Sequence, residues 1–95
     1  MKTFDDLEFK VHPVTKNGIH ATLEIKDNVF ISVVAGEGFY SAGKSGVRGP
    51  ITKVEDASSF EVAIIDENLP NDQQEWEVLG WQGREDINKL IIENS

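Results

Sequence analysis

A short apolar run near the middle of the chain places the strongest constraint on the fold. Residues 29–35 read Val-Phe-Ile-Ser-Val-Val-Ala, a segment rich in β-branched residues and without a polar face. A run of this length and composition is typical of a central strand that is covered on both sides of its sheet. The chain must therefore supply neighbouring strands for its edges and covering layers for its faces.

The segment before this run predicts the first of those neighbours. Residues 19–26 alternate strictly between apolar and polar side chains, with the apolar ones at Ile19, Ala21, Leu23 and Ile25. Alternation with a period of two indicates a half-buried strand. Residues 27–28, Asp-Asn, can turn the chain tightly because both side chains bond the local backbone and tolerate positive φ.

Shorter patterns predict the remaining strands. Alternation or apolar runs favour strands at residues 7–12, 51–54, 59–66 and 75–78. The last of these places Trp76 and Val78 inward. The other large aromatic residues are expected in or at the edge of the core, namely Phe4, Phe9, Phe30, Phe60 and Trp81.

The chain ends in a predicted helix over residues 84–93. Ile87, Leu90 and Ile91 form one apolar stripe, and acidic residues occupy the first turn, where the helix dipole favours them. A helix this short is not stable alone, so its stripe must lie on the sheet. We expect a single α+β domain over residues 1–95, an antiparallel meander of four to five strands with one C-terminal helix packed on one face. The other face must then meet a loop, a curled sheet or a second subunit.

Charge is distributed unevenly along the chain. The formal net charge is −8, yet residues 1–54 carry six acids and seven bases, whereas residues 55–95 carry eleven acids and two bases. The overall charge disfavours direct binding of nucleic acid, and no apolar stretch is long enough for a membrane span. Besides aiding solubility, the acidic C-terminal part can form a face that docks on a basic protein partner. The candidate residues on this face are Asp66, Glu67, Asp72, Glu75 and Glu77.

A loop is predicted over residues 36–50, which contain five glycines. Phe39 and Tyr40 lie within it. An aromatic pair on a loop can anchor an interface or fold back to cover the sheet, and the sequence leaves both interpretations open.

The same loop contains a string that resembles a phosphate-binding P-loop. Residues 38–45 match G-x-x-x-x-G-K-[ST], which marks Gly43, Lys44 and Ser45 as nucleotide-binding candidates. A P-loop needs a helix to begin at the Gly-Lys-Ser, because the helix N-terminus holds the phosphates. Two glycines and a proline follow within five residues and prevent such a helix. The nucleotide-binding interpretation is therefore disfavoured.

Other chemistry has little support in the residue pattern. There is no cysteine, and the two histidines, His12 and His20, lie in predicted strands without the further ligands that a metal site needs. Nothing in the sequence marks a nucleophile for a Ser-His-acid triad, since residues 43–47 lack the second glycine of the G-x-S-x-G nucleophile elbow. We expect no catalytic residue, no metal and no cofactor.

Four short blocks resemble a group of small uncharacterised phage and prophage proteins. The blocks are Phe-Asp-Asp-Leu-Glu-Phe with His-Pro at residues 4–13, Ile-Ser-Val-Val with Gly-Glu-Gly-Phe-Tyr at 31–40, Phe-Glu-Val-Ala at 60–63, and Val-Leu-Gly-Trp at 78–81. The resemblance implies a phage or prophage origin and a cytoplasmic location in an infected or lysogenic bacterium. It supplies no catalytic residues.

These observations favour a non-enzymatic phage accessory protein, monomeric or dimeric, that binds a host or phage protein. One form of this hypothesis is an inhibitor of a basic, nucleic-acid-binding partner. The alternative is a structural or assembly protein that self-associates through its sheet. Nucleotide binding through residues 38–45 is the third and disfavoured interpretation.

Overall fold

The computed structural model describes residues 2–14, 17–43, 46, 49–69 and 78–95. Within this part the chain forms six strands and one α-helix, with the bounds β1 (Lys10–Val11), β2 (Gly18–Lys26), β3 (Val29–Gly36), β4 (Ala42–Gly43), β5 (Ala57–Asp66), β6 (Val78–Gln82) and α1 (Arg84–Glu93). All strand pairs are antiparallel. The expected α+β class, an antiparallel sheet followed by one helix, is confirmed. Two of the strands, β1 and β4, have only two residues each and raise the number to six.

Strand β3 lies at the centre of the sheet, as the apolar run predicts. It pairs with β2 on one side and with β5 on the other. Strand β1 pairs with the outer edge of β2, while β4 and β6 both pair with β5. The turn between β2 and β3 has Asn28 at φ 63°, which Asn tolerates better than most residues.

One face of the sheet, here called the core face, holds the hydrophobic core. Ile31 and Val33 of β3 are fully buried on it, and Ile87 and Ile91 of α1 pack into the same cluster. The predicted helix bounds and its apolar stripe are confirmed. Gly83 cannot cap the helix with a side chain, but the Asp86 carboxylate accepts the Gly83 N–H at 2.8 Å. That bond satisfies one donor beside the helix N-terminus.

An aromatic cluster joins the N-terminal segment to the core face. The rings of Phe4, Phe9 and Phe60 lie 5.4–5.7 Å apart between centroids. The Arg84 guanidinium lies 5.3 Å from the Phe4 ring centroid and 5.4 Å from that of Phe60. It also donates to the Ala57 and Val54 carbonyls, each at 2.9 Å. Arg84 therefore fixes the start of α1 against both the aromatic cluster and the segment that enters β5.

Two of the predicted strands are wrong or shortened. Residues 7–12 contain only the two-residue β1, because the preceding residues form a 3₁₀ turn at Phe4–Asp6 and turn Leu7 and Phe9 into the core. Residues 51–54 form no strand. The Ile51 N–H bonds the Asn17 carbonyl at 2.9 Å, and a 3₁₀ turn follows at Val54–Asp56. In both places tertiary contacts decide the backbone path.

The opposite face of the sheet, here called the second face, is covered less well. Phe30, Ser32 and Val34 alternate with the buried residues of β3 and are only half-buried. The expectation that β3 is covered on both sides therefore holds fully only on the core face, as far as the described residues show. The ten-residue helix packs on the core face and therefore cannot also cover the second face.

Gly36 ends β3 at a close approach of two backbones. Its φ is 132°, and a Cβ built there would lie 2.5 Å from both the Asn17 carbonyl oxygen and the Gly18 Cα. Gly38 also has positive φ, at 90°, but a Cβ built there meets nothing within 4 Å. Gly36 thus lets the β2 and β3 ends meet, whereas Gly38 serves only the backbone conformation.

Arg84→Ala should lower the free energy of unfolding by about 1–3 kcal/mol, because two carbonyl contacts of a charged donor are lost. Arg84→Lys should recover only part of this loss, since an ammonium group cannot reproduce the two-pronged geometry of a guanidinium. Urea denaturation measures both values. Lys89→Ala, which removes an exposed positive charge from the same helix, is the control, and equal losses for Arg84→Ala and Lys89→Ala would contradict the assigned role.

Gly36→Ala and Gly38→Ala form a matched pair, because both place a Cβ on a backbone with positive φ. Gly38→Ala should destabilise by about 1–2 kcal/mol through backbone strain alone. Gly36→Ala should destabilise by a further amount of about 1–3 kcal/mol, since its Cβ also overlaps the Asn17 backbone. Thermal or urea unfolding of both variants tests this, and a Gly38→Ala loss as large as that of Gly36→Ala would refute the close approach.

Candidate interaction site

The loop between β3 and β4 is fixed by its own hydrogen bonds. Ser41, 1% exposed, accepts the Gly36 N–H at 2.9 Å through Oγ and donates to the Gly36 carbonyl at 3.4 Å. At the start of the loop the Glu37 N–H bonds the Asn17 carbonyl at 3.2 Å, and the Glu37 carboxylate accepts a bond from the Asn17 amide. The buried hydroxyl closes the loop, so Phe39 and Tyr40 are presented by a defined backbone.

Phe39 folds back against the sheet. It is half-buried, and its ring centroid lies 5.3 Å from that of His12, which lies 5.5 Å from His20. Of the two interpretations left open for the aromatic pair, covering of the sheet is the one that describes Phe39.

Tyr40 points outward and meets β6. It is 54% exposed, and its ring centroid lies 6.2 Å from that of Trp81. The Trp81 N–H bonds the Tyr40 carbonyl at 2.9 Å. Gly80 permits this approach, because a Cβ there would lie 2.7 Å from the Tyr40 Cβ. The loop and β6 are thereby joined by main-chain and side-chain contacts.

Trp81 departs from its expected position in or at the edge of the core. It is 51% exposed and has φ 57° in the left-handed region. The reason is a bulge, since Phe60 pairs with Gln82 but Val62 pairs with Leu79, which leaves Gly80 and Trp81 opposite the single residue Glu61. Val78, also predicted to point inward, is 53% exposed. We call the exposed surface formed by Tyr40, Val78 and Trp81 the aromatic patch.

A groove of about 170 Å³ lies beside the aromatic patch on the second face. Its walls are mostly apolar and include Val34, Phe39, Ala63 and Val78, with Glu61 as the charged member. The Glu61 carboxylate accepts the Tyr40 N–H at 3.5 Å. This volume is smaller than the roughly 300–1,000 Å³ of typical cofactor and small-molecule pockets, so the groove suits a single side chain.

Of the acidic residues proposed for partner binding, the two that the structure describes, Asp66 and Glu67, do not lie beside this patch. Asp66 pairs with Val29 at the far end of β5, five residues from Glu61 or roughly 17 Å along the strand. Its carboxylate accepts the Asn68 N–H at 2.9 Å, and the Glu67 N–H bonds the Asn28 carbonyl at 2.8 Å. Asp66 and Glu67 therefore help to shape the end of the sheet beside the turn between β2 and β3. The other acidic candidates, Asp72, Glu75 and Glu77, lie outside the described residues, as does Trp76.

The structure describes residues 38–43 of the P-loop-like string. Gly43 belongs to strand β4 and pairs with Ala57, and Gly46 has φ 78°. Neither conformation belongs to a helix, and the described sheet contains no parallel pair that could frame a phosphate loop. Lys44 and Ser45 lie outside the described residues.

Groups that could bind a metal are sparse in the described part of the chain. No cluster of three or more His, Asp or Glu side chains is placed there to hold an ion. The two histidine rings are adjacent, but His12 Nδ1 accepts the Val14 N–H at 3.1 Å, which occupies one of its ring nitrogens. Within the same residues, no helix has the length and apolar character needed to cross a membrane.

No protein-family model matches the chain, and neither the curated proteins nor the solved structures contain a match.

Sequence reasoning identified Phe39 and Tyr40 but missed Val78, Trp81 and Glu61. A signal for Trp81 was present, because a glycine inside a strand pattern often marks a bulge or a close backbone approach, and Gly80 directly precedes it. Nothing in the local sequence pairs Tyr40 with Trp81, since 41 positions separate them and the sheet register brings them together.

Trp81→Gly should change the free energy of unfolding by less than about 1 kcal/mol in either direction. The glycine relieves the left-handed backbone strain, which offsets the packing lost from a half-exposed ring. Urea denaturation measures this value. Trp81→Val is the comparison variant and should destabilise clearly, because a β-branched residue is unfavourable at positive φ. A Trp81→Gly loss as large as the Trp81→Val loss would contradict the strain assignment.

Proposed function

We propose that this chain is a small non-enzymatic protein-binding module that contacts a host or phage protein through the aromatic patch. Tyr and Trp are the residues most enriched among interface anchors, because they combine a large apolar surface with a polar atom. Here the two rings lie side by side, and each is about half exposed. A defined backbone presents both, so little ordering is required on binding.

The observation that carries this proposal is the backbone conformation of Trp81. A bulky residue at φ 57° is strained, and strain of this kind concentrates at functional sites. Glycine or asparagine would satisfy the same backbone at lower energy. A tryptophan that is strained and also half exposed contributes less to stability than its size allows, which supports a role in contact with another molecule.

The acidic surplus of residues 55–95 supports a basic partner. Complementary charge raises association rates and makes them sensitive to salt. An inhibitor of a basic, nucleic-acid-binding protein is one role that fits this charge. The resemblance of the four sequence blocks to phage and prophage proteins supports an accessory role in the cytoplasm of an infected or lysogenic bacterium.

A second candidate function, assembly through the sheet, is favoured by the half-buried second face. Phe30, Val34 and Ile65 are aligned across neighbouring strands there, and each is half-buried. A second copy could cover such a surface. Light scattering separates the two functions, because a stable dimer or ring supports assembly and a monomer supports the binding module.

Affinity capture from infected and uninfected bacterial lysates tests the proposed binding module. We expect Tyr40→Ala and Trp81→Gly to reduce the captured partner at least about tenfold, since hot-spot truncations commonly remove 2 kcal/mol or more. Ile92→Ala is the matched control, because Ile92 is a similarly exposed apolar residue on α1. Capture that survives both patch substitutions, or that Ile92→Ala reduces equally, would refute the aromatic patch as the binding site.

A further inference from the structure

We infer that the groove beside the aromatic patch takes the side chain of an arginine or lysine from the protein partner, with Glu61 as its counter-charge. This inference rests on the proposed protein-binding function and adds the chemistry of the residue that is recognised. Three features support it: the position of Glu61, the character of the groove walls, and the electrostatic consequence of filling the groove.

Glu61 occupies a constrained position on the second face. It lies opposite Val34 in the sheet register and opposite the bulge that holds Gly80 and Trp81. Its side chain is half-buried and accepts one hydrogen bond, the long contact from the Tyr40 N–H at 3.5 Å. It forms no ion pair with a lysine or arginine among the described residues. The carboxylate thus has capacity for a strong donor.

The groove walls suit the stem of a long basic side chain. Val34, Ala63 and Val78 provide apolar surface, and Phe39 provides an aromatic wall. Arginine and lysine bury their methylene stems along such surfaces while the charged group reaches a polar partner. A guanidinium or ammonium group also gains from a nearby aromatic ring. The volume of about 170 Å³ fits one such side chain.

Electrostatics favours a cation over a neutral occupant. An apolar side chain in the groove would remove water from the Glu61 carboxylate without replacing its hydrogen bonds, which is unfavourable. A guanidinium replaces that water with charge-assisted hydrogen bonds, which are stronger than bonds between neutral groups. The net charge of −8 adds a general attraction for cations, so the experiment must separate the local effect from the general one.

The test is an NMR titration of the ¹⁵N-labelled protein with Nα-acetyl-arginine amide. Nα-acetyl-citrulline amide is the matched probe, because it has nearly the same shape but no charge. We expect saturable shifts of the Tyr40, Glu61 and Val78 amides with the arginine probe. The affinity of the citrulline probe should be lower by about tenfold or more, because citrulline cannot form the charge-assisted hydrogen bond. Nα-acetyl-lysine amide should bind at the same residues.

Two variants separate Glu61 from the overall charge. Glu61→Gln keeps an oxygen that can accept the Tyr40 N–H, and it should reduce arginine binding to the level of citrulline. Glu85→Gln removes one charge from an exposed position on α1 and should leave the arginine affinity unchanged.

Several outcomes would overturn the inference. The first is the absence of saturable shifts up to about 50 mM arginine probe, and the second is equal affinity for the arginine and citrulline probes. The third is an equal effect of Glu61→Gln and Glu85→Gln on the affinity for the arginine probe. The fourth is tighter binding of Nα-acetyl-leucine amide than of the arginine probe. The proposed function is judged separately by partner capture. If Trp81→Gly abolishes capture and Glu61→Gln does not, the binding module stands and the cationic occupant is rejected. If neither variant affects capture, both proposals fail.

Discussion

The Arg84 guanidinium connects three parts of the chain that are distant in sequence. It packs over Phe4 from the N-terminal segment and Phe60 from the central region, and it bonds the carbonyls of the segment that enters β5. Arg84 is also the first residue of α1, where a positive charge is unfavourable for the helix dipole. Its contacts with the aromatic cluster and with the segment that enters β5 nevertheless join the start of α1 to the core face. Because α1 packs on the core face, the second face is covered only in part by the residues that the structure describes.

Local periodicity was sufficient for the regular elements of the fold. The alternation at residues 19–26, the apolar run at 29–35 and the stripe of Ile87, Leu90 and Ile91 each depend on neighbours a few positions away, and all three elements form as predicted. The pattern at residues 7–12 yielded only a two-residue strand, because a 3₁₀ turn precedes it and Leu7 and Phe9 pack into the core from irregular backbone. A hydrophobic residue in the sequence predicts burial, but it does not predict the backbone conformation by which its side chain reaches the core.

The candidate site was less predictable, because sheet register creates it. Tyr40 could be singled out as an aromatic residue on a loop, but its neighbours Glu61 and Trp81 come from two different strands. Trp81 was expected in or at the edge of the core as a large aromatic residue, and the one-residue irregularity between β5 and β6 turns it outward. Such a shift changes which face a side chain occupies. Gly80 is a sequence signal for a bulge, but no single-residue preference identifies the residue on the neighbouring strand that faces it.

The bond between the Trp81 N–H and the Tyr40 carbonyl involves only main-chain atoms. The closure of the loop by Ser41 and the space left by Gly80 likewise make no use of the two aromatic rings. The frame that sets positions 40 and 81 side by side is therefore largely independent of the side chains displayed there. The positive φ at position 81 still restricts which residues the backbone tolerates there, so the side chain at position 40 can vary more freely than the one at position 81 while the sheet and its core stay unchanged.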